Sequence, residues 1–202
     1  MFDYYSILKQ MFKSSDSYYK EIIKAALCTK RLGLDLPNFK LNPCLRYLTD
    51  DKVKELPEKI KASFGLLRPS DISAQCIKIN FEALPVINNW LQCQALFTLG
   101  WIDDGSVNGY FKFDENFIRD RLLSPRIEER VSVHAWITLP SMEIIDLTFP
   151  TTLATLYKTP EHFFIAIAKH PSQLNGMVYK PIIIGTDVLI KTGILSGKLF
   201  SY

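Results

Sequence analysis

No stretch of this 202-residue chain is long and apolar enough to cross a membrane. The longest candidate, residues 95–102, is broken by Thr98 and Gly100 and falls well short of the roughly 20 residues a spanning helix needs. The opening MFDYYSILKQMFKSSDS carries Asp3 early and lacks the basic start and apolar run of a secretory signal. The expectation is a cytoplasmic protein, with signal-independent export as an effector as the other route. There is no CxxC, and none of the four cysteines (Cys28, Cys44, Cys76, Cys93) lies beside a histidine, so no zinc site and no cofactor is expected. In a cytosolic setting these are free thiols. There is no run of five or more basic residues, which argues against a nucleic-acid partner. Repeats and low-complexity segments are also missing.

What is present is a globular composition, 48% hydrophobic and 22% charged. Such a chain has enough apolar surface to offset its conformational entropy. At this length it buries roughly 70% of its unfolded surface without disulfides. Charge is unevenly spread. Residues 1–63 hold 12 Lys/Arg and 8 Asp/Glu, residues 64–148 hold 7 and 11, and residues 149–202 hold 5 and 2. The ends are mildly basic and the middle is acidic.

The first 65 residues read as a helical N-terminal region. Tyr19, Ile22, Ile23, Ala26 and Leu27 fall on one stripe of a helix starting near Ser15 or Asp16 and stopping at Gly33. Thr49 or Asp50 is expected to cap a third helix over residues 52–64, with Pro57 inside it. Beyond Pro69 the texture changes. Residues 77–81 read as a strand or connector, and Asn88 or Asn89 is expected to cap a helix running to Gly100. Residues 109–113 read as a strand. Residues 131–139 alternate as a strand should, PSM turns the chain, and residues 143–148 return antiparallel. Residues 163–168 form an apolar run, residues 177–184 a further one, and a last helix or strand lies near Val188. The expected fold class is α+β, with residues 66–202 as a core in which a helix packs on an antiparallel sheet.

Three residues carry the chemical expectation. Cys93 falls within the first turns of the helix expected to open near Asn88, where a thiolate would feel the positive helix end. His134 lies mid-strand, and Asp146 lies on the returning strand. With Pro140, Ser141 and Met142 as a three-residue loop, Leu139 faces Glu143, Trp136 faces Asp146 and His134 faces Thr148. His134 and Asp146 then become diagonal neighbours on one face. A slip of one residue would separate them. The carboxylate would hold the imidazole tautomer, and the imidazole would serve the thiol.

The segment HAWITLPSMEIIDLT resembles the His-and-Asp hairpin of transglutaminase-like and papain-like cysteine enzymes. NNWLQCQALFTLGW is similar to their cysteine-bearing element, except that Leu91-Gln92-Cys93 stands where many members have Gly-x-Cys. The resemblance covers residues 85–150. It implies thiol acyl transfer or hydrolysis on a peptide or protein amide, as in a protease, deamidase or transglutaminase-like enzyme. Cys93 would be the nucleophile, His134 the base and then the acid, and Asp146 the orienting group. Oxyanion donors would come from Asn88, Asn89 or Gln92, and Trp136 is a candidate for the substrate cleft. The alternative is a non-catalytic interaction module with an idle triad. A third reading has the helices of residues 1–65 dock a partner or gate the cleft. Cys28 reads as core, Cys44 and Cys76 have no evident His partner, and His162 and His170 have no metal-ligand spacing.

Overall fold

Asp16 accepts a hydrogen bond from the Tyr19 N–H at 2.8 Å and so caps the first long helix, α2 (Ser17–Arg31), which follows a short α1 (Tyr4–Gln10). Its buried residues include the expected stripe Tyr19, Ile22, Ile23 and Ala26, and Gly33 turns the chain out with a φ of 72°. Thr49 accepts from the Lys52 N–H to cap α3 (Asp50–Phe64), which places Asp50 and Asp51 at the positive helix end and tolerates Pro57 within. After α4 (Pro69–Ile72) come α5 (Cys76–Leu91), β1 (Leu96–Asp103), α6 (Glu115–Leu123), β2 (His134–Thr138) and β3 (Ile144–Asp146). The chain continues as α7 (Phe149–Tyr157), β4 (Ile167–Lys169), β5 (Val178–Ile184) and α8 (Asp187–Lys191). This computed structural model describes residues 4–11, 14–128 and 131–194. Among them the architecture is mixed α+β, and the strand pairings β1–β5, β2–β3 and β3–β4 are all antiparallel.

Three elements differ from the sequence expectation. Residues 77–81 are not a strand; they lie inside α5. The helix expected over residues 88–100 is instead the last turn of α5 followed by β1. The buried residues Cys76, Ile79, Asn80, Ala83, Ile87 and Leu91 recur at helical spacing, and burying that stripe outweighs the interruption at Pro85. β1 is buried along most of its length, so it reads as a continuous apolar run rather than an alternation. The strand expected over residues 109–113 shrinks to one bridge, Ile102 with Tyr110. Gly109 permits it, because a Cβ there would lie 2.8 Å from both the Ile102 carbonyl oxygen and the Trp101 ring.

The chain divides into two units, each made of segments that alternate along the sequence. One comprises Met1–Asn38, Thr98–His134 and Asn175–Tyr202. In it α2 packs on β5 through Thr29, which is fully buried. The Thr29 hydroxyl donates to the Ala25 carbonyl at 2.8 Å and accepts the Ile184 N–H at 2.9 Å. β1 pairs with β5 from Thr98–Ile184 to Asp103–Val178, with one irregularity at Leu99/Gly100. α2 is thus built into the core of this unit.

The other unit comprises Phe39–Phe97 and Ala135–Leu174. Its core joins Leu48, Leu56, Ile79, Ala83 and Ile87 to Ile137, Leu139, Ile145 and Ala168. Glu143, at the β2–β3 turn, is 5% exposed and ties in the 42–48 segment. It accepts the Tyr47 N–H at 2.8 Å, the Leu48 N–H at 3.2 Å and the Ser141 hydroxyl at 2.6 Å.

Candidate functional site

The β2–β3 hairpin has the register expected from its sequence. Ile137 pairs with Ile145 and Thr138 with Ile144, and the Leu139 N–H donates to the Glu143 carbonyl at 2.8 Å. Pro140, Ser141 and Met142 make the turn, closed by the Met142 N–H on the Leu139 carbonyl, with Met142 in the left-handed region (φ 73°).

Asp146 ends β3 fully buried. Its Oδ1 accepts the Thr148 N–H at 3.0 Å, the Thr148 hydroxyl at 3.2 Å and the Phe149 N–H at 3.1 Å. The carboxylate therefore sits at the positive end of α7 and is held rigidly by it. His134 opens β2 and is 2% exposed. Its ring stacks on Phe111 at 5.5 Å and 21°, with the Tyr179 ring 6.4 Å away. Trp136 is fully buried, so it packs in the interior and cannot line a substrate cleft.

Cys93 is not at a helix start. It follows α5, whose last turn is closed by Gln92 in the left-handed region, and the Cys93 N–H donates to the Asn88 carbonyl at 3.2 Å. This is the carbonyl end of the helix, where the dipole disfavours a thiolate. Burial pushes the Cys93 thiol up to about 11, opposed by the Ala95 backbone N–H. The oxyanion candidates are misplaced for the same reason. The Asn88 side-chain oxygen accepts the Ala95 N–H at 2.7 Å, while Gln92 is exposed and donates to the Asn89 carbonyl. A helix C-terminus presents carbonyls, not the N–H groups that a developing oxyanion needs.

The thiol at a helix start is Cys76, the first residue of α5 and 9% exposed. One turn on, the fully buried Asn80 joins this turn to β2. Its Nδ2 donates to the Cys76 carbonyl at 2.9 Å and to the Ala135 carbonyl at 2.9 Å, and Ala135 directly follows His134 in the chain. The Asn80 Oδ1 is buried with no hydrogen-bond partner. The helical stripe from Cys76 to Leu91 was the sequence signal for this placement, obscured by Pro85 and by the β-branched Ile77 and Ile79.

The other cysteines carry no such geometry. Burial, then the Glu115 carboxylate, push Cys28 up to about 12, and Cys44 is exposed. His162 is exposed, and His170 accepts the Ser172 N–H at the start of a 3₁₀ turn. Among the described residues no group of His, Cys, Asp and Glu could hold a metal, and no helix is long and apolar enough to cross a membrane. Comparison of the chain with family models, curated proteins and solved structures finds no match to any of them.

Proposed function

We propose that the protein is a cysteine-dependent acyl-transfer or hydrolytic enzyme acting on peptide or protein amides, with Cys76 rather than Cys93 as nucleophile. His134 serves as base and Asp146 as the orienting carboxylate. The observation that carries this reading is the Asn80 amide, which fixes the first turn of α5 to the β2 carbonyl next to His134. Cys76 is the first residue of α5, whereas Cys93 follows its opposite end. The His134 and Asp146 hairpin is the part of the resemblance to transglutaminase-like and papain-like enzymes that this reading keeps; Cys76 precedes the residues 85–150 that the resemblance covers.

In the reaction, the thiolate sulfur adds to the amide carbonyl, and the imidazolium returns its proton to the departing amine. The resulting thioester is resolved by water or by an acceptor amine. The test is acylation by p-nitrophenyl acetate followed by mass spectrometry of tryptic peptides. An acetyl group on the peptide holding Cys76, lost in Cys76→Ala and in His134→Ala but kept in Cys93→Ala, is the expected result. An acetyl group on Cys93, or none on any cysteine, overturns the assignment.

A further inference from the structure

The second unit holds an apolar groove of about 520 Å³ that the thiol chemistry does not use. Its floor is Leu56, Ile72 and Ile79, and its mouth is formed by Leu66, Phe164 and Ile165. Leu66 is 86% exposed and Phe164 56%, although burying either side chain would be favourable. Phe164 is also held in the left-handed region (φ 63°) by its N–H bond to the Thr151 hydroxyl at 3.0 Å. Exposed apolar side chains gathered round one concavity mark a binding surface. The single charged residue lining the groove is Lys61.

A second cavity, of about 460 Å³, shares Val53 and Ala168 with the groove as common walls. It is polar, and Arg46, Lys54 and Lys169 line it together with Asp50 and Glu143. Glu143 is already occupied by the Tyr47 and Leu48 N–H groups, and Asp50 by Arg46 at 3.6 Å. Arg46 also lies 3.9 Å from Glu143, and Lys54 lies 4.0 Å from Asp51, outside the lining. Lys169 is exposed and has no ion-pair partner among the described residues, and the lining itself carries three cations against two carboxylates, an excess of one positive charge. The two cavities together match the two ends of an amphiphile.

We propose that this pair of cavities binds a single-chain anionic amphiphile of the fatty-acid type, its chain in the apolar groove and its carboxylate beside Lys54 and Lys169. At about 30 Å³ for each methylene, a volume close to that of a water, a chain of on the order of twelve carbons fits with the mouth open. Each buried methylene contributes about 0.8 kcal/mol, so shortening the chain by four weakens binding by about 100-fold or more.

The experiment is isothermal titration of the full chain with sodium dodecanoate, sodium octanoate and dodecyltrimethylammonium, each below its micellar concentration. Dodecanoate is expected to bind at one site, octanoate at least 100-fold more weakly, and the cation at least tenfold more weakly. Ala166→Trp fills the groove and is expected to abolish dodecanoate binding. Lys54→Glu with Lys169→Glu changes only exposed side chains, so it keeps the test valid should the tryptophan variant not fold. It is expected to weaken dodecanoate at least tenfold with an unchanged unfolding temperature. No saturable binding of dodecanoate, equal binding of the cation, or affinity unmoved by the lysine pair each overturns the proposal. So does a concentration-dependent dimer that dodecanoate does not dissociate, because a second copy would then occupy the groove.

Discussion

Replacing Asn80 with alanine removes a side chain that joins the start of α5 to β2. The cost follows from its bonds. Two carbonyls, those of Cys76 and Ala135, each lose a donor at 2.9 Å in a fully buried site. A net hydrogen bond is worth about 1 kcal/mol, and burying an acceptor that has lost a partner adds to that. A carbonyl has two lone pairs, and that of Cys76 keeps its helical bond, so the lower end of the range applies. The sum is about 2–3 kcal/mol, which for a chain of this size lowers the unfolding temperature by about 5–10 °C. Differential scanning calorimetry reads it directly.

Asn80→Asp sharpens the test. A carboxylate there would face two carbonyl oxygens without solvent, so its folded pKa would be raised above the ordinary unfolded value of about 3.9. The charged form is then the unfavourable one. The variant should be least destabilised below about pH 4 and lose stability steadily as pH rises through that raised value. An alanine variant within 1 kcal/mol of the parent, or an aspartate variant whose deficit is the same at pH 4 and pH 7, would refute the bridging role.

Two further consequences follow. Glu143→Ala strips the acceptor from the Tyr47 and Leu48 N–H groups and from the Ser141 hydroxyl, and should cost about 3–4 kcal/mol in urea unfolding; a loss under 1 kcal/mol would mean that water replaces it. Hydrogen bonding to Arg31, first among the causes, holds the Glu115 carboxyl down to about 2, so its contribution is present above about pH 4.5 and is lost as pH falls towards 2. Because Arg31 is half exposed, the effect is about 1 kcal/mol or less, and the stability gap between the parent and Arg31→Leu should close over that window.

The features legible in the sequence were those set by near neighbours. The Asp16 and Thr49 caps, the α2 stripe and the three-residue hairpin turn depend on residues a few positions apart, and each stands where it was expected. The start of α5 was not legible. Ile77, Ile79 and Pro85 argued locally against a helix that only the burial of Cys76, Asn80, Ala83 and Ile87 stabilises. That displaced the helix by a full element and moved the expected thiol from its amino end to its carbonyl end. β1 pairs with β5 some 80 residues later, and Thr29 reaches Ile184 across 155 positions. Such pairings leave no short-range trace, so the interleaving of the two units was hidden. Asp146 ends β3 fully buried and accepts the N–H groups at the start of α7.

The central claim is that the reactive thiol stands at the head of α5. The most direct measurement is site-resolved labelling of all four cysteines by limiting iodoacetamide at pH 6.5, in the parent and in His134→Ala, read by mass spectrometry. The account predicts that Cys76 labels ahead of the exposed Cys44, that Cys28 and Cys93 stay unlabelled, and that His134→Ala removes the advantage of Cys76. Preferential labelling of Cys93, or a Cys76 no faster than Cys44 in the parent, would contradict it.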